Sequence, residues 1–212
     1  MKYIILVRHG ETEWNLQGRY QGQSETDLSA AGHQQAELLA RRLADTSIDA
    51  IFSSPLRRAM ATAEAVAQGR KGEVVAVSDL IEISHGTWEG LTVEAVKRKF
   101  PEQYSLWHRS PVEVRFPGGE SLEDLRARVL PAIQQIARLN SAEVALVCGH
   151  DAVNKVILAD CFHLPLSEFW RIRQDSTCVN LLEVREDDLR PVAINDSGHL
   201  GPLIPAAEHR AL

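Results

Sequence analysis

Aromatic residues are scarce in this chain, cysteines scarcer, and no long apolar run occurs; each shortage excludes a class of protein. The 3 cysteines, Cys148, Cys161 and Cys178, are an odd number without a C-x-x-C pair, which argues against a disulfide framework and a zinc cage. No stretch approaches the roughly 20 apolar residues that a membrane-spanning helix needs, so no membrane partner is expected. The N-terminus places Lys2 before the short apolar run Tyr3-Ile4-Ile5-Leu6-Val7, which stops at Arg8. That layout is not a secretory signal, and a cytoplasmic protein is the expectation. Cationic excess is missing too: 23 Lys+Arg face 29 Asp+Glu, for a net charge of −6 and a pI near 5.8. Without a basic stripe to release counterions, a nucleic-acid partner is not expected, and any phosphate must be met by local cations.

What is present reads as a globular core. The 212 residues are 44% hydrophobic and 25% charged, and no Pro/Gly/Ser-rich linker divides them, so one domain over residues 1–212 is expected. Tyr3-Ile4-Ile5-Leu6-Val7 has the composition of a strand covered on both faces. After Asp27-Leu28-Ser29, with Ser29 as N-cap, Ala36, Leu39, Leu43 and Ala44 recur at helical spacing to about Asp45. Residues 49–53 read as a second strand, and Pro55 heads a helix over 56–67. Val74-Val75-Ala76-Val77 reads as a third strand.

From about 83 to 120 the pattern loosens around Trp88, Trp107 and Phe116, with one short helix near 92–100, and reads as an excursion that covers a site. Ser121-Leu122-Glu123-Asp124 has the spacing of a helix-start box for a helix to about Leu139, with Pro131 as a possible kink site. Residues 144–148 read as a fourth buried strand, followed by a helix over 152–161 and two late strands at 178–184 and 192–195. Strands alternating with helices predict an α/β fold: a three-layer α/β/α sandwich with a mostly parallel central sheet and a lid excursion. Ligands of such sheets gather at the carboxyl ends of the strands.

Two histidines fall there. Arg8-His9-Gly10-Glu11 follows the first strand, and His150 follows the fourth after Gly149. The segments LVRHGETEWN, SSPLRRAMATA, LIEISHGTWEGL and LVCGH occur in that order. Together they resemble the catalytic segments of the histidine phosphatase (phosphoglycerate mutase-like) superfamily, over nearly the whole chain.

The chemistry that this resemblance implies is physically coherent. Hydrolysis of a phosphomonoester without a metal needs fixed cations for the phosphoryl oxygens and a nucleophile that is unprotonated at working pH. His9 fits the nucleophile: neighbouring cations disfavour a proton on it, and a hydrogen bond from its other nitrogen to a backbone carbonyl would leave the attacking nitrogen bare. Arg57 and Arg58 are adjacent, and successive helical residues point about 100° apart, so one of them faces the pocket. The family pattern Ser-x-Leu-x-Arg-Ala places that one at Arg58. The resemblance also implies that His150 holds the phosphoryl group with Arg8 and Arg58, and that Asn15 donates to it. Glu82 is the candidate general acid, with Glu89 as the rival carboxylate. Glu11 and Glu13 read as structural or rim charges. The arginines supply the positive charge that a cation would bring, so neither metal nor cofactor is implied.

The acid segment narrows the reaction. Phosphoglycerate mutases of the superfamily carry Glu-Arg-His-Tyr-Gly here, whereas this chain has Glu82-Ile83-Ser84-His85-Gly86, which favours water as acceptor and hence a phosphatase. RYQG, IEISHGTWEG, PGGESL and GHLG together are similar to the metal-independent phosphoserine phosphatases of bacteria and cyanobacteria. That similarity implies a homodimer, a small phosphorylated metabolite as substrate, namely a free amino acid phosphate such as L-phosphoserine, and His85 near its carboxylate. Gln21 and Gly22 become candidate rim contacts, and His199, Leu200 and Gly201 a tail over the pocket mouth. The chain departs from the bacterial pattern at His150-Asp151-Ala152-Val153-Asn154-Lys155, which resembles plant and cyanobacterial sugar-acid phosphatases. α-Ribazole phosphatase and a broad-specificity phosphatase are further readings. A phosphate-binding pseudoenzyme is the reading from another class, and the presence of Arg8, His9, Arg58, Glu82 and His150 counts against it.

Overall fold

A computed structural model describes residues 1–139, 142–186 and 188–201. In chain order the elements are β1 (Tyr3–Arg8), α1 (Glu13–Leu16), α2 (Ala30–Arg42), β2 (Ala50–Ser53), α3 (Arg57–Ala67), β3 (Val74–Ala76), α4 (Val93–Lys99), α5 (Pro101–Arg109), α6 (Leu122–Ala137), β4 (Val144–Gly149), α7 (Asp151–Cys161), β5 (Val179–Arg185) and β6 (Asp188–Asp196). The sheet order is β3-β2-β4-β1-β5-β6. The strands β3, β2, β4 and β1 pair in parallel, and β5 runs antiparallel to both β1 and β6.

Alternation along β1 and β4 divides the core between two layers, because successive side chains point to opposite faces. Ile5 and Val7 with Leu146 and Cys148 pack against Leu39 and Leu43 of the α2 region and Ala59, Ala63 and Val66 of α3. Ile4 and Leu6 with Ala145 and Val147 meet Leu125, Val129 and Ile133 of α6 and Val153, Val156 and Ile157 of α7. The expected three layers are therefore present, and the centre of the sheet is apolar on both faces, as parallel pairing requires.

Helix starts follow the cap chemistry of the sequence. Ser29 Oγ accepts from Gly32 N at 3.0 Å. Ser121 and Asp124 form the anticipated reciprocal box, with α6 continuing through Pro131. Thr12 and Asn15 form a second such box, which creates the single-turn α1 that the sequence reading lacked.

The 83–120 excursion differs from expectation in one element. It holds two helices rather than one, α5 beginning at Pro101 directly after α4. Proline excludes the preceding residue from helical backbone, so Phe100, at φ −133° and ψ 53°, breaks the run and Pro101 starts a new one. Trp88, Trp107 and Phe116 join the excursion to the core on the α6–α7 side of the sheet, with Phe116 edge-on to both indoles at 5.0 Å. The last strand is also longer than the expected 192–195, because pairing with β5 extends it to 188–196; Pro191 is tolerated on this edge position.

Candidate active site

The register of the two central strands builds the site. β1 and β4 pair with Arg8 opposite Gly149, so the next residues, His9 and His150, emerge side by side from the carboxyl edge. His9 N donates to Gly149 O at 3.1 Å, which continues the ladder one step past the strands. The two rings meet edge to face with centroids 5.1 Å apart and planes at 62°.

Each ring has a defined partner. His9 Nδ1 donates to Gly10 O at 2.6 Å, which places the proton on Nδ1 and leaves Nε2 bare. His150 Nε2 pairs with Ser54 Oγ at 2.7 Å, while its buried Nδ1 has no partner. Burial, followed by the charges of Arg58 and Arg8, holds His9 well below the usual histidine range. Burial and the same two arginines, with His9 itself, do the same for His150.

Both arginines are buried and held by backbone oxygens. Arg8 Nη1 donates to Gln174 O at 2.6 Å and lies 3.6 Å from Asp151 Oδ1. Arg58, on the first turn of α3, donates through Nη2 to Gly22 O at 2.7 Å and through Nη1 to Ser24 O at 2.9 Å and Thr26 Oγ1 at 3.3 Å. Carbonyls orient a guanidinium without cancelling its charge, and the Nε of each arginine is buried without a partner. Desolvation pulls Arg58 down to about 10, which leaves it cationic at neutral pH. Arg57 points the other way, exposed and paired with Glu25 and Asp27.

The two candidate carboxylates have different surroundings. Glu82 is buried, its Oε1 accepting from Ile83 N at 2.8 Å and its Oε2 from Ala152 N at 3.2 Å on the first turn of α7. Burial foremost raises its pKa, and those backbone donors and Arg58 oppose the rise only in part. Arg128 fastens this segment: it donates to the carbonyls of Asp79, Ile81 and Glu82 at 2.8, 2.6 and 3.0 Å and pairs with Glu120 at 2.9 Å. Glu89 is a strut. Its Oε1 accepts from Gln23 N and His85 N, both at 3.1 Å, and its Oε2 from Ser24 Oγ at 2.8 Å, which ties the loop that holds Arg58 to the loop that carries His85. Glu11 is structural in the same sense, accepting from Ser29 Oγ at 3.1 Å.

The remaining residues singled out from sequence take varied positions. Asn15 is buried, and its Oδ1 accepts from Thr12 N and Oγ1 in the α1 cap, at 3.0 and 2.9 Å. Gln21 Oε1 accepts from Thr26 Oγ1 at 2.7 Å and lies 2.9 Å from Thr12 Oγ1. Gly22, at φ +52°, turns the chain so that its carbonyl reaches Arg58, and a Cβ there would strike the Glu89 carboxylate. His85 lies between Tyr20 and Phe116, at ring distances of 5.1 and 4.7 Å, and burial pushes it down to about 3. His199 Nε2 pairs with Thr177 Oγ1 at 3.0 Å, and Thr177 N in turn donates to His9 O at 3.3 Å. Leu200 belongs to the same short turn, and Gly201, exposed, ends the described segment.

Among the described residues no group of three or more His, Cys, Asp or Glu side chains is placed to hold a metal ion. No helix among them is long and apolar enough to cross a membrane. Burial pushes the thiols of Cys148, Cys161 and Cys178 up, which makes them poor nucleophiles.

The family model for the histidine phosphatase superfamily (branch 1) matches residues 4–197. The chain belongs to this superfamily. As a histidine phosphatase it is 36% identical over 212 residues, the whole of both chains, to Phosphoserine phosphatase 1 of Hydrogenobacter thermophilus. It is 41% identical over 157 residues, 73% of this chain and 66% of the relative, to a metal-independent phosphoserine phosphatase of Arabidopsis thaliana. Among solved structures, Bacillus stearothermophilus YhfR superposes with a TM-score of 0.91 at 30% identity, covering 95% of this chain and 100% of that one.

Several residues that shape this histidine phosphatase site escaped the sequence reading. Ser54, Gln174 and Arg128 contact His150, Arg8 and the Glu82 segment respectively. Ser54 lies inside the SSPLRRAMATA segment, whereas Gln174 and Arg128 reach the site from distant parts of the chain and carry no local signal.

Proposed function

We propose that the protein is a metal-independent phosphoserine phosphatase that works through a phosphohistidine intermediate. The observation that carries the mechanism is the 2.6 Å bond from His9 Nδ1 to Gly10 O, which leaves Nε2 unprotonated beside two buried arginines. Arg8, Arg58 and His150 hold the phosphoryl oxygens, and Asn15 adds a donor. Nε2 attacks phosphorus, the bond from phosphorus to the seryl oxygen breaks, and Glu82 gives that oxygen its proton. A water molecule then loses a proton to the Glu82 carboxylate and attacks the phosphohistidine, which releases phosphate and returns His9 to its neutral form. Burial suits Glu82 to the first step, because it raises the pH at which the carboxyl still carries its proton.

The substrate rests on likeness to the Hydrogenobacter and Arabidopsis enzymes and on His85, whose ring burial keeps neutral between Tyr20 and Phe116. An imidazolium formed there on binding would pair with the substrate carboxylate. His199, Leu200 and Gly201 cover the pocket mouth, Gln21 and Gly22 lie at its rim, and residues 83–120 act as the lid of a single domain that works as a homodimer. The test is a panel of L-phosphoserine, phosphothreonine, a sugar-acid phosphate, α-ribazole phosphate and a nucleotide, together with trapping of the labelled enzyme. L-Phosphoserine is expected to have the highest kcat/KM, with label on His9 that His9→Ala abolishes. Equal turnover of all five would identify a generalist, and label without His9 would end the mechanism.

A further inference from the structure

Two charged residues beside the site are buried, and neither is used in the mechanism above. Asp151, the first residue of α7, and Lys155, one turn later, are 4% and 1% exposed, and Lys155 Nζ lies 2.7 Å from Asp151 Oδ2. The other oxygen, Oδ1, faces Arg8 Nη1 at 3.6 Å. Lys155 is packed from behind by aromatic faces, its Nζ 4.8 Å from the ring centroids of both Phe169 and Trp170. Trp170 is in turn fixed by a 2.7 Å bond from Nε1 to Trp107 O of α5. The carboxylate therefore bridges one cation outside the reacting site and one inside it.

Stability is a poor reason for such an arrangement. Taking both charges out of water costs about as much as their attraction returns, and an apolar pair of similar volume is often no worse. The placement of Asp151 is more informative: it shares Arg8 Nη1 with the carbonyl of Gln174, on the guanidinium that an incoming phosphate must use.

We propose that Asp151 is a positioning residue for Arg8, and that Lys155 sets how hard it pulls. The carboxylate holds the guanidinium in its working orientation while the site is empty. Lys155 shares the negative charge, so that Arg8 remains available to the phosphoryl group. This inference rests on the reading that Arg8 holds phosphate, and it predicts opposite signs for the two variants.

Isothermal titration of the full-length protein with inorganic phosphate tests it. In Lys155→Met the carboxylate, relieved of the lysine charge, draws Arg8 more strongly toward itself, and phosphate binding weakens by about tenfold. In Asp151→Asn the competing anion is gone: phosphate binds severalfold more tightly, yet kcat on the best phosphomonoester falls by about tenfold because Arg8 has lost its guide. The double variant recovers phosphate affinity to within about threefold of the parent, as coupled neighbours require. The proposal is overturned if Lys155→Met binds phosphate as the parent does, or if the double variant is as weak as that single one. It is equally overturned if phosphate affinity and kcat fall together in Asp151→Asn. Should Lys155→Met fail to fold, the near-isosteric Asp151→Asn decides alone through that split. Phosphate binding is read without turnover, so an error about phosphoserine would appear in the substrate panel and leave these affinities unmoved.

Discussion

His9 and His150 present their rings edge to face across 5.1 Å, and both are held neutral by burial and by the arginines that flank them. Two neutral rings among two cations leave the pocket at a charge that a phosphate dianion can enter. The same arrangement makes the fold sensitive to acid.

The folded pKa values of His9, His85 and His150 all lie below the ordinary value, so the unfolded chain binds protons that the folded chain refuses. Their contribution is intact above about pH 6.5 and is lost as pH falls below it, with a limiting slope of about 1.4 kcal/mol per pH unit for each ring. Glu82 works in the opposite direction, its raised pKa favouring the folded state on acidification, but it is one group against these rings, and His108 and His199 are lowered as well. Urea midpoints are expected to fall steeply from pH 7 to pH 5, and His85→Phe is expected to flatten that fall. A midpoint constant over this range would contradict the account.

Glu82 and Glu89 are separable by pH. Glu82→Gln is expected to lower kcat by about 10²–10³-fold and to remove the alkaline limb of the pH profile, which a protonated Glu82 creates. Glu89→Gln removes the charge but keeps an acceptor on the strut. It is expected to reduce stability by about 1–2 kcal/mol and to leave the shape of the profile intact. Denaturant titration and a kcat/KM profile on both variants measure this.

The adjacent arginines offer the sharpest contrast. Arg58→Ala removes a buried guanidinium held by three oxygens and is expected to reduce kcat/KM by about 10²–10³-fold. Arg57→Ala removes surface ion pairs of the kind that contribute about 0–1 kcal/mol, so activity within about twofold of the parent is expected. Steady-state kinetics on the pair would reverse the assignment if Arg57 proved the sensitive one.

The sheet and the strand-end histidines were legible because their signals are local: a β-branched run, a cap residue, a glycine before His150. Helical geometry required that Arg57 and Arg58 face different ways, and the family pattern indicated which of them is exposed. The break at Phe100 was legible in principle, since Pro101 announces it, but an aromatic-rich excursion offers no clean periodicity from which to count helices. Long-range partners were not legible. Gln174 reaches Arg8 across 166 positions, and nothing near either residue announces the other. The cause of the depressed His9 pKa was legible only in part: neighbouring cations were evident from sequence, whereas burial, the larger influence, depends on how the layers close.

The Arg8–Gly149 register has a broader consequence. Adjacent strands are about 4.8 Å apart whatever their loops do, so the spacing of the two imidazoles is inherited from backbone pairing and not from any loop. Insertions or replacements between residues 83 and 120 can therefore change what surrounds the two rings without respacing them.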